Sequence, residues 1–284
     1  MTQQRKLRGV MQKSILITGC SSGIGLDAAR TLSRRGWQVF ASARTPASCA
    51  LLQQEGLVGL HLDYEDPTTF APALAALLAQ TGGRLDAVFH NGAYAIAGPL
   101  EDISGDALRT IFQANLIGWH ELNLLVIPVM RGQGYGRIVM NSSVLGLVAM
   151  KWRGAYIATK FALEGLADAL RLEMADTGIR IVLIEPGPIE TDFRKNAILQ
   201  FEKWVDWEHS VRVDEYRATL LDQLYKGSAK GPQWPASAVT DRLIQALESP
   251  RPKVRYFVTT PTHLMGFLRR VLPARALDWI LSRG

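Results

Sequence analysis

The stretch Ser14-Ile15-Leu16-Ile17-Thr18-Gly19-Cys20-Ser21-Ser22-Gly23-Ile24-Gly25 reads as a buried strand, a glycine-rich turn and the opening of a helix. The apolar run Ile15-Leu16-Ile17 is the length of a short strand buried on both faces. Glycine is needed where the backbone turns tightly or approaches another group closely. A helix that starts at such a turn presents unpaired N–H groups and the positive end of its dipole. Strand, glycine turn and helix in this order form the setting in which a dinucleotide pyrophosphate is held. Gly19, Ser21, Ser22, Gly23, Ile24 and Gly25 are therefore the candidate contacts.

Outward from this turn the chain keeps one rhythm. Strands are predicted at 14–18, 37–43, 57–62, 85–90, 137–142 and 179–184. Helices are predicted between them at 25–35, 46–55, 67–80, 106–130 and 155–177. A helix at 236–247 and a strand at 254–258 close the series. Alternation of this kind specifies a parallel sheet covered on both faces, with right-handed crossovers. The expected fold is therefore α/β: a single Rossmann-like, doubly wound domain over residues 13–260. Residues 1–12 are expected to be a flexible extension. Residues 193–232, aromatic and irregular in spacing, are expected to form a mobile substrate lid. Residues 261–284 are expected to be an amphipathic helical tail, broken near Pro273.

Composition removes several classes of function. With 284 residues and 48% hydrophobic content the chain can build a large core. The net charge of +6 is spread along the sequence, so nucleic acid is not an expected partner. Two cysteines give no disulfide framework and fit a reducing, cytoplasmic setting. The five histidines lack metal-ligand spacing, and no metal is expected. No apolar run approaches the roughly 20 residues of a membrane span.

A second constellation carries the chemistry. Tyr156 and Lys160 stand at i and i+4 near a helix start, on one face. A free tyrosine has a pKa of about 10, too high for a proton shuttle at neutral pH, and a neighbouring ammonium favours the phenolate. A shift of about 3 units corresponds to about 4 kcal/mol. Ser143, thirteen residues before Tyr156 and just past a strand, can donate to a carbonyl oxygen.

The turn resembles T-G-x-x-x-G-x-G, the signature of the short-chain dehydrogenase/reductase family. The resemblance covers residues 14–191 and, more weakly, the remainder. It implies an Asn-Ser-Tyr-Lys tetrad at Asn115, Ser143, Tyr156 and Lys160, with Ser142 the competing serine. It implies that Asn115 holds a water linking Lys160 to solvent and that Lys160 also holds the nicotinamide ribose. It further implies that Asp63 meets the adenine, that Asn91 and Gly92 line the cofactor, and that Pro186 and Gly187 pack beside the nicotinamide. Ile189 and Thr191 then contact the carboxamide. His90-Asn91-Gly92-Ala93 departs from the family's N-N-A-G. His90 stands where an asparagine braces the sheet, which leaves a structural and a functional role both open. The segments Gly98-Pro99-Leu100-Glu101 and Ile184-Glu185-Pro186-Gly187-Pro188 resemble the hydroxysteroid and retinol dehydrogenase branch, including its bacterial NADP-dependent aldehyde reductases.

The second predicted strand ends Ala41-Ser42-Ala43-Arg44. The position that is acidic in NAD-specific relatives is Ala43, and Arg44 can pair with a 2′-phosphate. The expected cofactor is NADP(H), and the expected reaction is reduction of an apolar aldehyde or ketone, with Tyr156 giving the proton. Alternatives are the reverse, alcohol-oxidising direction and a non-catalytic NADP-binding regulator. A homodimer or homotetramer through the helices carrying Asn115 and Tyr156 is the expected assembly. The tail is expected to be a packing element, with weak membrane-surface contact as its alternative.

Overall fold

The computed structural model describes residues 12–227 and 233–282. Most of the expected extension at 1–12, the last five residues of the expected lid and the end of the tail lie outside these.

Seven strands form one sheet in the order β3-β2-β1-β4-β5-β6-β7. They are β1 (Ser14–Ile17), β2 (Gln38–Ala43), β3 (Val58–His61), β4 (Ala87–His90), β5 (Gly136–Asn141), β6 (Ile179–Glu185) and β7 (Arg255–Phe257). Every neighbouring pair is parallel. The helices are α1 (Gly23–Arg34), α2 (Pro46–Gln54), α3 (Phe70–Thr81), α4 (Gly105–Phe112), α5 (Gly118–Gln133), α6 (Gly154–Glu173), α7 (Phe193–Trp204), α8 (Val213–Glu215), α9 (Leu221–Tyr225), α10 (Ser237–Glu248), α11 (Thr260–Val271) and α12 (Ala274–Leu281).

Side chains alternate across the central strands and feed two cores. Ile15, Ile17, Phe89, Val182 and Ile184 point to the face covered by α1 and α10. Leu16, Val88, Ile138, Met140 and Leu183 point to the face covered by α3, α5 and α6. Truncating one of these fully buried side chains to alanine is expected to cost about 2–5 kcal/mol. The chain runs from β1 outward to β2 and β3, then returns past β1 to β4. The strand order reverses between β1 and β4, and a crevice opens outside their carboxyl ends.

Two regions differ from the sequence reading. The helix expected at 106–130 is interrupted by a π-helical turn at Gln113–Ile117, which carries Asn115. The expected lid is not a bare loop. Its described part, 193–227, folds into short helices with a core of their own. Ala197, Phe201, Val205, Tyr216, Leu220 and Leu224 pack with Tyr94, Ile96, Ile111 and Ala155. Asp102 ties this cap down, accepting from Ser210 Oγ at 2.7 Å and from the Tyr216 hydroxyl at 2.8 Å. Arg212 pairs with Glu101 and with Glu215.

Candidate active site

The glycine turn fits tightly against its surroundings. Gly19 has φ +69°, and a Cβ there would stand 2.7 Å from Gly92 Cα. A Cβ on Gly25 would stand 2.3 Å from Gly19 O. No side chain can occupy either position without moving backbone. Asn91 locks the turn, its Nδ2 donating to Thr18 O at 3.0 Å and Gly19 O at 3.3 Å. The first turn of α1 has no side-chain cap from Ser22 and no acidic residue. An anion at this helix end would meet donors and no competing carboxylate.

The crevice is a cleft of about 470 Å³. Its walls bring together Gly19, Ser21, Ser22, Gly23, Ile24, Arg44, Asp63, Asn91, Gly92, Ser143, Tyr156, Lys160, Pro186, Gly187, Ile189 and Thr191, drawn from seven separate stretches of chain. Gly25 and Asn115 do not line it. Gly25 acts one layer back, by letting the turn close on itself.

Within it, Ser143, Tyr156 and Lys160 converge. Ser143 caps the short turn Val144–Gly146, its Oγ accepting from Leu145 N at 3.1 Å. Burial pushes the pKa of the Tyr156 phenol upward, and its hydrogen bond with the Ser143 hydroxyl opposes that shift in part. Lys160 is buried, with Nζ donating to Asn141 O at 2.7 Å. The ammonium lies 4.7 Å from the Trp119 ring centroid and 5.5 Å from that of Tyr156. Burial lowers its pKa to about 7, opposed by the charge of Glu164. A free lysine titrates near 10.4, so this group gains or loses its proton close to neutrality.

Asn115 is fully buried. Its Oδ1 accepts from Tyr94 N at 3.1 Å, and its Nδ2 donates to Tyr94 O at 2.8 Å and to Thr159 Oγ1 at 3.3 Å. Thr159 in turn donates to Tyr156 O at 2.7 Å. The Asn115 side chain therefore braces the segment after β4, at Tyr94, against α6 instead of opening toward the cleft. Arg44 also lines the cleft, exposed just past the end of β2.

His90 has a definite place. It is fully buried, with Nδ1 2.6 Å from the Tyr64 hydroxyl and Nε2 2.9 Å from Asn123 Oδ1. The same Tyr64 hydroxyl lies 3.0 Å from Thr18 Oγ1, which accepts from Asn91 N and Gly92 N. His90 thus supports the glycine turn from behind and does not line the cleft. Burial lowers its pKa to about 4, so the ring is neutral at physiological pH.

A family model described as short chain dehydrogenase matches residues 13–200. The chain belongs to this family. It is 41% identical over 274 residues to uncharacterized oxidoreductase YbbO of Escherichia coli (strain K12), covering 96% of this chain and 95% of that protein. It is 32% identical over 259 residues to human 17-beta-hydroxysteroid dehydrogenase type 1, covering 86% and 77%. A short chain dehydrogenase/reductase from Burkholderia phymatum, solved in complex with NAD, superposes with a TM-score of 0.76 at 22% identity, covering 96% of each chain. This short-chain dehydrogenase/reductase is thus an oxidoreductase within the hydroxysteroid and retinol dehydrogenase branch. No helix among its described residues is long and apolar enough to cross a membrane.

Several cleft residues escaped sequence reading. Leu145 and Met150 line the cleft without having been singled out, while Phe193 and Asn196 enter it from the expected lid. The acceptor for Lys160 is a main-chain carbonyl, which leaves no mark in a side-chain pattern.

Proposed function

We propose that this enzyme reduces an apolar aldehyde or ketone to the alcohol with NADPH. The observation that carries the reading is the meeting of Tyr156, Ser143 and Lys160 in the same cleft as the glycine turn and Arg44. The glycine turn and the uncapped start of α1 fit a pyrophosphate. Pro186, Gly187, Ile189 and Thr191 fit the wall beside a nicotinamide, and Asp63 and Asn91 the adenine side. When bound, the nicotinamide supplies the hydride.

The chain's own residues do the rest. Ser143 Oγ orients the carbonyl oxygen by donating to it. Tyr156 OH gives that oxygen the proton. Lys160, held by Asn141 O, stabilises the phenolate left behind and holds the nicotinamide ribose. Asn115 positions α6 through Thr159. Val144, Leu145, Met150 and Phe193 offer an apolar wall to the substrate. Arg44 favours a 2′-phosphate by paired charge-assisted hydrogen bonds, and Ser22 is a second donor for it. Leu124 and Leu125 on α5 and Leu172 on α6 are exposed and fit association of two copies through these helices.

A panel of carbonyls and alcohols with NADPH and NADH, followed by nicotinamide absorbance, tests the reading. Turnover of apolar carbonyls with NADPH preferred is expected. Turnover confined to polar substrates, or preference for NADH, would overturn it.

A further inference from the structure

Behind the proposed site lies a buried charged cluster that the reaction above does not use. Glu185 ends β6, Glu164 and Asp168 project from α6, and Arg255 comes from β7. Leu183 pairs with Arg255, so Glu185 and Arg255 share the sheet face that α6 covers. One guanidinium thus faces three carboxylates. Arg255 Nη2 donates to Glu164 Oε2 at 3.1 Å and to Asp168 Oδ2 at 2.8 Å, and its Nε lies 3.1 Å from Glu185 Oε1. Asp168 is half exposed and has a second cation, Arg171, at 3.1 Å. Glu164 and Glu185 are buried and share what remains.

The polar atoms here do not balance if both acids are ionised. Arg255 Nε reaches Glu185 Oε1 as an ion pair without an aligned hydrogen bond, Glu185 Oε2 has no donor, and Glu164 Oε1 is equally without one. Two buried carboxylates that share one cation with a third, and lack aligned donors, are strongly disfavoured as a pair of anions. A proton on Glu185 removes the conflict, because its hydroxyl then donates to Glu164. The position matters to the proposed site. Glu164 lies one helical turn after Lys160. It also packs under Gly146, in the turn capped by Ser143.

We propose that Glu185 is held as a neutral acid, and that Glu164, the one buried carboxylate serving both Arg255 and Lys160, is the positioning residue that keeps the Lys160 ammonium charged. The groups facing that ammonium are Glu164 on its own helix, the Trp119 ring on α5, the Tyr156 phenol and the Asn141 carbonyl. Glu164 is the only anion among them. The inference rests on the role given to Lys160 in the proposed function.

Its test reads protons and not turnover. Cofactor binding is followed by calorimetry in buffers of different ionisation enthalpy, from about pH 5.5 to 9. The proton taken up by Lys160 is the difference from a Lys160→Met blank. Glu164→Gln is expected to shift the midpoint of uptake down by about one pH unit or more, because the ammonium loses its only anion. Glu164→Asp should restore most of the shift. Glu185→Gln, which imitates the neutral acid, should keep both the midpoint and the thermal stability of the parent protein. An unmoved midpoint in Glu164→Gln, or an equal shift in Glu185→Gln, would overturn the proposal. An enzyme that shows these shifts yet reduces no carbonyl would refute the proposed reaction and leave this inference standing.

Discussion

The ring of Phe193 stands edge-on to that of Tyr156, with centroids 5.4 Å apart and planes at 66°. Phe193 opens α7, the first helix of the cap, and lines the cleft. An apolar substrate at Tyr156 would cover this ring. Phe193→Ala is expected to lower kcat/KM for an apolar carbonyl by roughly 10-fold, mostly through KM, since about 1.5 kcal/mol of apolar contact is lost. Phe193→Leu should retain most of it. Steady-state kinetics at saturating cofactor will tell, and an unchanged KM in Phe193→Ala would place the substrate elsewhere.

Arg44 provides a test of cofactor choice. Removing one charge-assisted pair costs about 1.5–3 kcal/mol, so Arg44→Ala should weaken NADPH binding roughly 10- to 150-fold. NADH, which lacks the 2′-phosphate, should lose much less. Dissociation constants for both nucleotides decide this, and equal losses would remove Arg44 as the selector.

Much of the fold was legible because its signals are local. The turn from Thr18 to Gly25 follows a strand and opens a helix, and the structure has it there. Tyr156 and Lys160 sit one turn apart because α6 is regular. The π-helical turn was hidden because one extra residue in a helix leaves the apolar pattern of 106–130 almost unchanged. Only the Tyr94 backbone, far away in sequence, shows why Asn115 needs it. The helices of the cap were hidden for a related reason. Phe201, Tyr216 and Leu220 look irregular until Tyr94 and Ala155 are brought against them. The pairing of His90 with Tyr64 and Asn123 is also nonlocal, so its bracing role became visible only in three dimensions.

Asn115 should matter to stability as well as to activity. Asn115→Ala leaves Tyr94 N and O buried without their partner, at about 1–3 kcal/mol for each group. A loss of about 2–5 kcal/mol in chemical denaturation is expected. A loss below about 0.5 kcal/mol would show that the bracing seen here is dispensable.

His90 makes acid stability predictable in sign. Its folded pKa of about 4 lies below the roughly 6.5 of an unfolded histidine. Between these values the unfolded chain binds a proton that the folded one refuses. The contribution is therefore complete above about pH 6.5 and is lost as pH falls toward 4, by roughly 3 kcal/mol in all. His90→Gln, which keeps a donor for Asn123, should flatten this part of the stability profile. An unaltered slope between pH 6.5 and 4 would assign the acid sensitivity to other groups.

The central claim is that Tyr156 gives the proton. It is tested most directly by single-turnover reduction of a carbonyl that the parent enzyme accepts, with NADPH affinity measured alongside. In Tyr156→Phe the dissociation constant for NADPH should stay within about threefold, while the rate falls at least roughly 100-fold, the scale of general acid catalysis. A rate within a few-fold of the parent enzyme would contradict the account.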